Sequence, residues 1–252
     1  PYSNPMMIYP AIHYTMGGIW VDYELMTSIN GLFAIGECNF SDHGANRLGA
    51  SALMPGLADG YFVLPYTIQN YLADQITVPR FSTDLPEFAA AEKAIQDKIN
   101  WMMNIKGKKS VDSIHKELGH VMWDFVGMGR TSEGLKEGLK RLKEIRKEFE
   151  KELFIPGEKE GMNVELDKAI RLYDFIIMGE LVAYDALNRN ESCGGHFREE
   201  YQTEEGEAKR DDENFFYVAC WEYQNSDEKE PVLLKEPLVY EAIKVQTRNY
   251  KS

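Results

Sequence analysis

The spacing of apolar side chains divides the chain into three stretches. Between residues 81 and 190 apolar positions recur every three to four residues among Lys, Glu and Asp, which is the pattern of helices that bury one face. It predicts helices over 86–104, 110–125, 131–153 and 163–189. The third carries Leu135, Leu139, Leu142, Ile145 and Phe149 on one stripe, as a bundle helix does. Thr131 or Ser132 ahead of Glu133, and Asn163 ahead of Glu165, offer capping oxygens followed by acidic first turns. An antiparallel bundle follows.

Residues 1–80 read differently. Short β-branched and aromatic runs alternate with Gly17, Gly18, Gly31, Gly36, Gly44, Gly49, Gly56 and Gly60, a density that predicts tight turns around something bulky. Strands are expected over 19–23 and 32–35, the second ended by Gly36. From residue 50 to 73 the series Leu53, Leu57, Tyr61, Leu64, Ile68 and Tyr71 has helical spacing, and Pro55 fits only in the first turn. Residues 191–214 read as loop, with strands expected over 215–223 and 237–246. The fold class expected is α+β, in three zones: 1–80, a helical bundle over 81–190, and a strand-containing extension over 191–252.

Composition narrows the function. With 44% hydrophobic and 12% aromatic residues in 252, the chain has ample material for a core. A net charge of −13 and a pI near 4.9 speak against nucleic acid or an anionic lipid surface as partner. No apolar run reaches the roughly 18 residues that cross a bilayer. Cys38, Cys193 and Cys220 lie far apart without a CxxC pair, which excludes a four-thiolate metal site within the chain and fits a reducing compartment. The opening Pro-Tyr-Ser-Asn-Pro has neither initiator Met nor signal-peptide pattern, so we expect the interior of a longer protein.

The chemistry concentrates near the start. Arg47 is the sole Lys or Arg in the first 79 residues, and a lone cation in an apolar, Gly-rich stretch calls for an anion. That anion is either a protein carboxylate, Glu37 or Asp42, or the carboxylate of a ligand. Arg47 can grip a carboxylate with two parallel N–H bonds while His13 fixes a second oxygen, a combination suited to a small dicarboxylate; the competing reading for His13 is a satisfied core histidine. His43 is read as structural. Glu37, after Gly36, stands where ribose acceptors commonly stand in nucleotide-binding sheets, or else pairs with Arg47. The run 49–53 opens a helix whose first N–H groups could face an electron-rich ligand atom. His115 and His120 are five apart, about 140° around a helix, and do not share a metal. Gly127 to Thr131 lacks a preceding strand and reads as an inter-helix turn rather than a phosphate loop.

Three ordered blocks carry a resemblance: His13-Tyr14-Thr15-Met16-Gly17-Gly18-Ile19, Gly31-Leu32-Phe33-Ala34-Ile35-Gly36-Glu37-Cys38, and His43-Gly44-Ala45-Asn46-Arg47-Leu48-Gly49. They resemble the flavoprotein subunit of succinate dehydrogenase and fumarate reductase. Met122-Trp123-Asp124-Phe125-Val126-Gly127 with Arg130-Thr131, then Glu191-Ser192, Gly195-His196, Arg198-Glu199 and the run from Arg210 to Asn214, resemble its helical and C-terminal regions. Zone 1–80 would then be the C-terminal part of an FAD- and substrate-binding domain.

The resemblance implies hydride transfer between FAD and a carbon of succinate or fumarate. It assigns the dicarboxylate to His13 and Arg47, the adenosine ribose side of FAD to Glu37, and the isoalloxazine to the backbone at Ala52 and Leu53. A positive helix end there would stabilise charge on the reduced ring. Where the family usually has Asn-Ser-Leu this chain has Ser51-Ala52-Leu53, so the contact expected is with backbone. The pyrophosphate-binding GxGxxG, the flavin-tethering histidine and the capping-domain arginine fall outside these residues. Hence we expect a C-terminal piece of a chain more than twice as long, inactive alone. Implied partners are an iron–sulfur subunit and a quinone-reactive membrane anchor, with the subunit peripheral at the cytoplasmic face of a bacterial inner membrane. The alternatives are an L-aspartate oxidase-like flavoenzyme, with adenylylsulfate reductase a more distant fit, and a non-catalytic helical scaffold.

Overall fold

The computed structural model describes residues 5–8, 13–40, 43–47, 49, 51–226 and 229–246. Two compact units follow one another along the chain, 1–78 and 79–252.

The first unit is built from turns around one helical rod. Its small core consists of Val21, Leu25 and Ala34, with Ile35, Phe40 and Val63 packed against it. The strands expected over 19–23 and 32–35 are not strands. Ile19 pairs with Asn39 in one parallel bridge and Met26 with Phe33 in one antiparallel bridge, and glycine turns on either side stop both ladders from extending. Gly18 shows why glycine is needed: at φ +149° its Cβ would stand 2.6 Å from the carbonyl oxygens of both Cys38 and Asn39.

The helix expected over 50–73 is present in three pieces. α1 (Leu53–Ala58) runs through a π turn (Asp59–Val63) into α2 (Leu64–Leu72), with right-handed backbone at each junction. Pro55 lies in the first turn. Pro65 enters in the first turn of α2, where the wider π turn before it accommodates a residue that cannot donate to the ladder. α2 is tied down by Thr67, whose Oγ1 donates to the Glu24 carbonyl at 2.9 Å, and by Tyr71, edge-on to Phe33 at 5.5 Å.

In the second unit the predicted helices fall within one or two residues of expectation: α3 (Pro86–Ile105), α4 (Val111–Val126), α5 (Ser132–Glu152) and α6 (Val164–Asn188). Ser110, Thr131 and Asn163 cap α4, α5 and α6, each side-chain oxygen accepting the amide three residues on. The stripe on α5 is buried as expected, with Leu139 only half-buried. α5 runs antiparallel to α4 and α6. Glu148 meets Lys109 and Glu117 meets Arg141 on one side, while Arg146 meets Glu180 on the other. Only the C-terminal half of α3 joins this bundle, through Met102 and through Trp101 against Phe149 and Tyr173.

Two parallel ties of two residues each, β1 (Lys109–Ser110) with β3 (Leu153–Phe154) and β2 (Gly129–Arg130) with β4 (Phe197–Arg198), fasten the ends of the helices. Beyond a short α7 (Asp212–Phe215), β5 (Tyr217–Glu222) and β6 (Val232–Pro237) form an antiparallel hairpin with Tyr217 opposite Pro237. The last strand therefore precedes the expected 237–246. Pro237 ends it rather than starting it, because a residue without an N–H suits the end of an edge strand. The assembly is α+β.

Candidate functional site

The predicted site residues lie in the first unit. Arg47 is half-buried on a stretch without helix or strand, and its guanidinium carbon stands 4.8 Å from the centre of the Tyr14 ring. His43 meets the same ring edge-on, 5.3 Å between centroids and 82° between planes. Tyr14 thus gathers two groups that are more than 25 residues away in sequence. His13, its neighbour, is exposed on the same irregular segment. Among the described residues no ion pair joins Glu37 to Arg47; Asp42, the other carboxylate considered for it, lies outside them, as do Leu48 and Ala50 of the expected motifs.

Glu37 sits exposed in the 3₁₀ turn Gly36–Cys38, which begins with Gly36 at φ +77°. α1 passes so close that a Cβ on Gly56 would stand 3.7 Å from the Gly36 Cα, so the Glu37 turn and the start of the helical rod are neighbours. That start has no side-chain cap: Ala52 is already helical in φ and ψ, and Leu53 is 78% exposed.

These residues can be tested against the cofactor expected from the sequence. Asn39 is 2% exposed, its Nδ2 donates to the Ala34 carbonyl at 3.1 Å, and among the described residues its Oδ1 receives no donor. A buried acceptor without a donor costs about 1–3 kcal/mol, and a ligand hydroxyl or amide would remove that cost. Together with an exposed carboxylate on a glycine turn and uncapped amides at Ala52 and Leu53, the donor and acceptor set fits a nucleotide-type cofactor. By kind, Glu37 suits hydroxyl groups and the two amides suit an electron-rich ring atom.

The second unit holds a polar node that sequence reasoning did not resolve. Arg198 is 1% exposed and its Nη1 donates to the Ala186 carbonyl at 2.9 Å, at the C-terminus of α6. Arg130 does the same for α4, its Nε donating to Val126 and Gly127 at 3.1 and 3.0 Å. His196 lies between Arg130 and Arg189: Arg130 Nη1 is 2.8 Å from Nδ1 and the Arg189 carbonyl is 3.0 Å from Nε2. A guanidinium only donates and a carbonyl only accepts, so the ring is neutral with its proton on Nε2. Burial, assisted by Arg130 and Arg198, pushes His196 from 6.5 down to about 4, against the pull of the Arg189 carbonyl and Asp185. The buried Glu191 receives Arg189 at 2.7 Å and the Asp211 amide at 2.9 Å. The signal in sequence was the block from Glu191 to Arg198 itself, a dense polar segment directly after a long helix.

Residues 1–53 match the profile described as FAD binding domain, which sets the class of the protein as an FAD flavoprotein. Residues 115–250, more than half of the chain, match the one described as fumarate reductase flavoprotein C-term, and the chain belongs to that family. It is 33% identical over 201 residues to the succinate dehydrogenase flavoprotein subunit of Bacillus subtilis, covering 80% of this chain and 34% of the relative. With the fumarate reductase flavoprotein subunit of Proteus vulgaris it shares 34% over 220 residues, 85% of this chain and 34% of the relative. A solved quinol-fumarate reductase with menaquinol molecules superposes with a TM-score of 0.80 at 27% identity, covering 97% of this chain and 40% of that one. The chain thus spans about a third of the length of these curated relatives.

Proposed function

We propose that this chain is part of a flavoprotein subunit that interconverts succinate and fumarate and passes electrons to an iron–sulfur subunit and on to quinone through a membrane anchor. The observation that carries the reading is Arg47, the sole cation of residues 1–79, held on Tyr14 next to His13 in a segment matching an FAD-binding domain. Bound FAD would supply the redox chemistry, exchanging a hydride with a substrate carbon. Arg47 binds one carboxylate through its N–H fork and orients the four-carbon chain. His13 donates to the other carboxylate. Glu37 accepts from the cofactor's ribose side, and the amides of Ala52 and Leu53 face its ring, where the positive helix end favours added negative charge.

In this reading residues 1–80 close an FAD- and substrate-binding domain, 81–190 are a helical bundle domain, and 191–252 a C-terminal extension. The whole subunit is peripheral, at the cytoplasmic face of a bacterial inner membrane. Among the described residues no helix is long and apolar enough to cross a membrane. The chain by itself lacks the rest of the cofactor site and is expected to show neither a flavin absorption band nor turnover.

The test is Arg47→Ala and His13→Ala in the full-length protein, assayed for fumarate reduction with an artificial donor and for succinate oxidation. Loss of the arginine should lower kcat/KM on the order of 10²-fold or more with flavin retained. Unchanged kinetics would refute the reading, as would aspartate-dependent peroxide production without fumarate reduction.

A further inference from the structure

The exposed side of α5 carries Lys136, Lys140, Lys143 and Lys147, which follow one another at intervals of four, three and four residues. At about 100° and 1.5 Å per residue they lie within an arc of about 60° and span about 16 Å along the helix. All four are exposed, and together with the half-buried Leu139 they line one shallow groove. The arginines of the same helix have carboxylate partners: Arg141 meets Glu117 and Glu144, and Arg146 meets Glu180. Within the stripe, the one ion pair among the described residues joins Lys140 to Glu137 at 3.5 Å. Like charges three and four residues apart on a helix repel one another, so the stripe works against the stability of α5. It does so in a chain whose acidic residues outnumber the basic ones 41 to 28.

An occupant of this stripe has to be anionic and narrow. Glu137 and Glu144 run along one side of it, and Glu133 and Glu150 stand beyond its two ends. A bilayer surface or a nucleic-acid backbone would press these carboxylates against its own charges and would meet the negative field of the whole chain. A single helix, about 10 Å across, can lie along the lysines alone. Carboxylates repeated on it at the same four-three-four spacing would face the ammonium groups, and an apolar side chain among them would cover Leu139. We propose that α5 is a docking site for an acidic amphipathic helix of another protein, held by Lys136, Lys140, Lys143 and Lys147 around Leu139. The surface belongs to the second unit and stands or falls apart from the roles assigned to Arg47 and His13.

The experiment uses the full-length flavoprotein and two fluorescein-labelled, Ala-rich helical peptides of the same composition. One carries Glu at the four-three-four spacing with a Leu beside them; in the other the same residues are distributed round the helix. Fluorescence anisotropy reads the Kd. The spaced peptide should bind about tenfold or more tightly than the scattered one, and should weaken as salt rises. The triple variant Lys140→Gln, Lys143→Gln, Lys147→Gln should lose about tenfold or more of that affinity. Lys93→Gln, Lys108→Gln, Lys116→Gln, with the same change of net charge, should lose none, with flavin absorbance and Tm unchanged in both. Carbodiimide, which joins an ammonium to a carboxylate in direct contact, should couple the spaced peptide to the stripe lysines of the parent, a reading that holds even if a variant fails to fold. No binding, equal affinity for the two peptides, equal losses in the two triple variants, or crosslinks elsewhere would overturn the proposal. Binding of phosphatidylglycerol vesicles or of a single-stranded oligonucleotide that the stripe variant alone loses would overturn it too, because the occupant would then be a membrane or a nucleic acid.

Discussion

Lowering the pH should unfasten the second unit at one residue, His196. The neutral ring accepts from Arg130 on one nitrogen and donates to the Arg189 carbonyl with the other. Protonation would add a donor on Nδ1 that points at a guanidinium, between Arg130 and Arg198, with Asp185 the one nearby carboxylate that opposes this. The folded ring titrates near 4 and the unfolded one near 6.5. The folded-state value is the lower one, so this contribution is complete above about pH 6.5 and is lost as pH falls towards 4, because the unfolded chain takes up the proton first. At 1.36 kcal/mol for each pH unit, the loss from this residue amounts to about 3 kcal/mol.

The comparison that isolates it is His196→Gln, which keeps one acceptor and one donor but does not titrate. Urea unfolding followed by tryptophan fluorescence is a direct assay, since Trp221 bonds Asp185 at 2.7 Å and rests against Tyr184 within the same region. Carboxylates shift the stability of both proteins alike, so the difference between them reports the histidine. The parent should lose about 3 kcal/mol more than the variant between pH 7 and pH 4. Parallel curves, or an NMR titration of His196 with a midpoint near the ordinary 6.5, would refute the neutral, clamped ring.

Other perturbations of the second unit have direct readings. Gly107→Ala would put a Cβ within 2.1–2.3 Å of three backbone atoms of Glu152, which cannot give way, and should cost at least about 3 kcal/mol in urea unfolding. Phe149→Ala empties a site that is 0% exposed and flanked by Trp101 and Tyr173, for an expected loss of about 3–5 kcal/mol by the same measurement. Thr131→Ala removes the oxygen that accepts the Gly134 amide at 3.0 Å and should cost about 1 kcal/mol, visible as a small fall in Tm.

The helices could be read from sequence because each signal there is local. A stripe such as Leu135 to Phe149 and a cap such as Asn163 lie within the element they define, and their positions hold to within one or two residues. Strand assignments depend on a partner that the local pattern does not name. Residues 32–35 have the composition of a buried strand, yet among the described residues they find only the single Met26–Phe33 bridge. The hairpin was misplaced for a related reason. Val232 to Leu234 is as apolar as the run after Pro237, and what decides between them is the register opposite Tyr217 to Glu222. Arg198 illustrates a third difficulty. Composition places arginine at the surface, and its burial becomes acceptable because carbonyls of residues 186, 187 and 189 converge on it from the end of α6 while Nε meets the Glu200 carboxylate at 3.2 Å.

The candidate site was legible in its residue types and not in its arrangement, and the physics of the first unit explains the difference. Among its described residues the core has three buried apolar side chains, Val21, Leu25 and Ala34, whereas Leu53, Met54, Leu57, Tyr61, Phe62 and Tyr66 on the rod stay largely exposed. A unit with so little interior cannot hold functional groups by packing, so it holds them by turns and by contacts between side chains. That is why an isolated arginine and two histidines stood out against an apolar background, while the ring joining Arg47 to His43 passed as one more aromatic. The same reasoning makes the site sensitive to substitutions that a buried core would absorb. Replacing Gly31 by Ala puts a side chain at φ +81° and a Cβ 2.5 Å from the Tyr71 hydroxyl; the ring tip can turn aside, so the strain of the backbone in the turn that precedes the Glu37 segment remains, an expected loss of about 1–3 kcal/mol in urea unfolding.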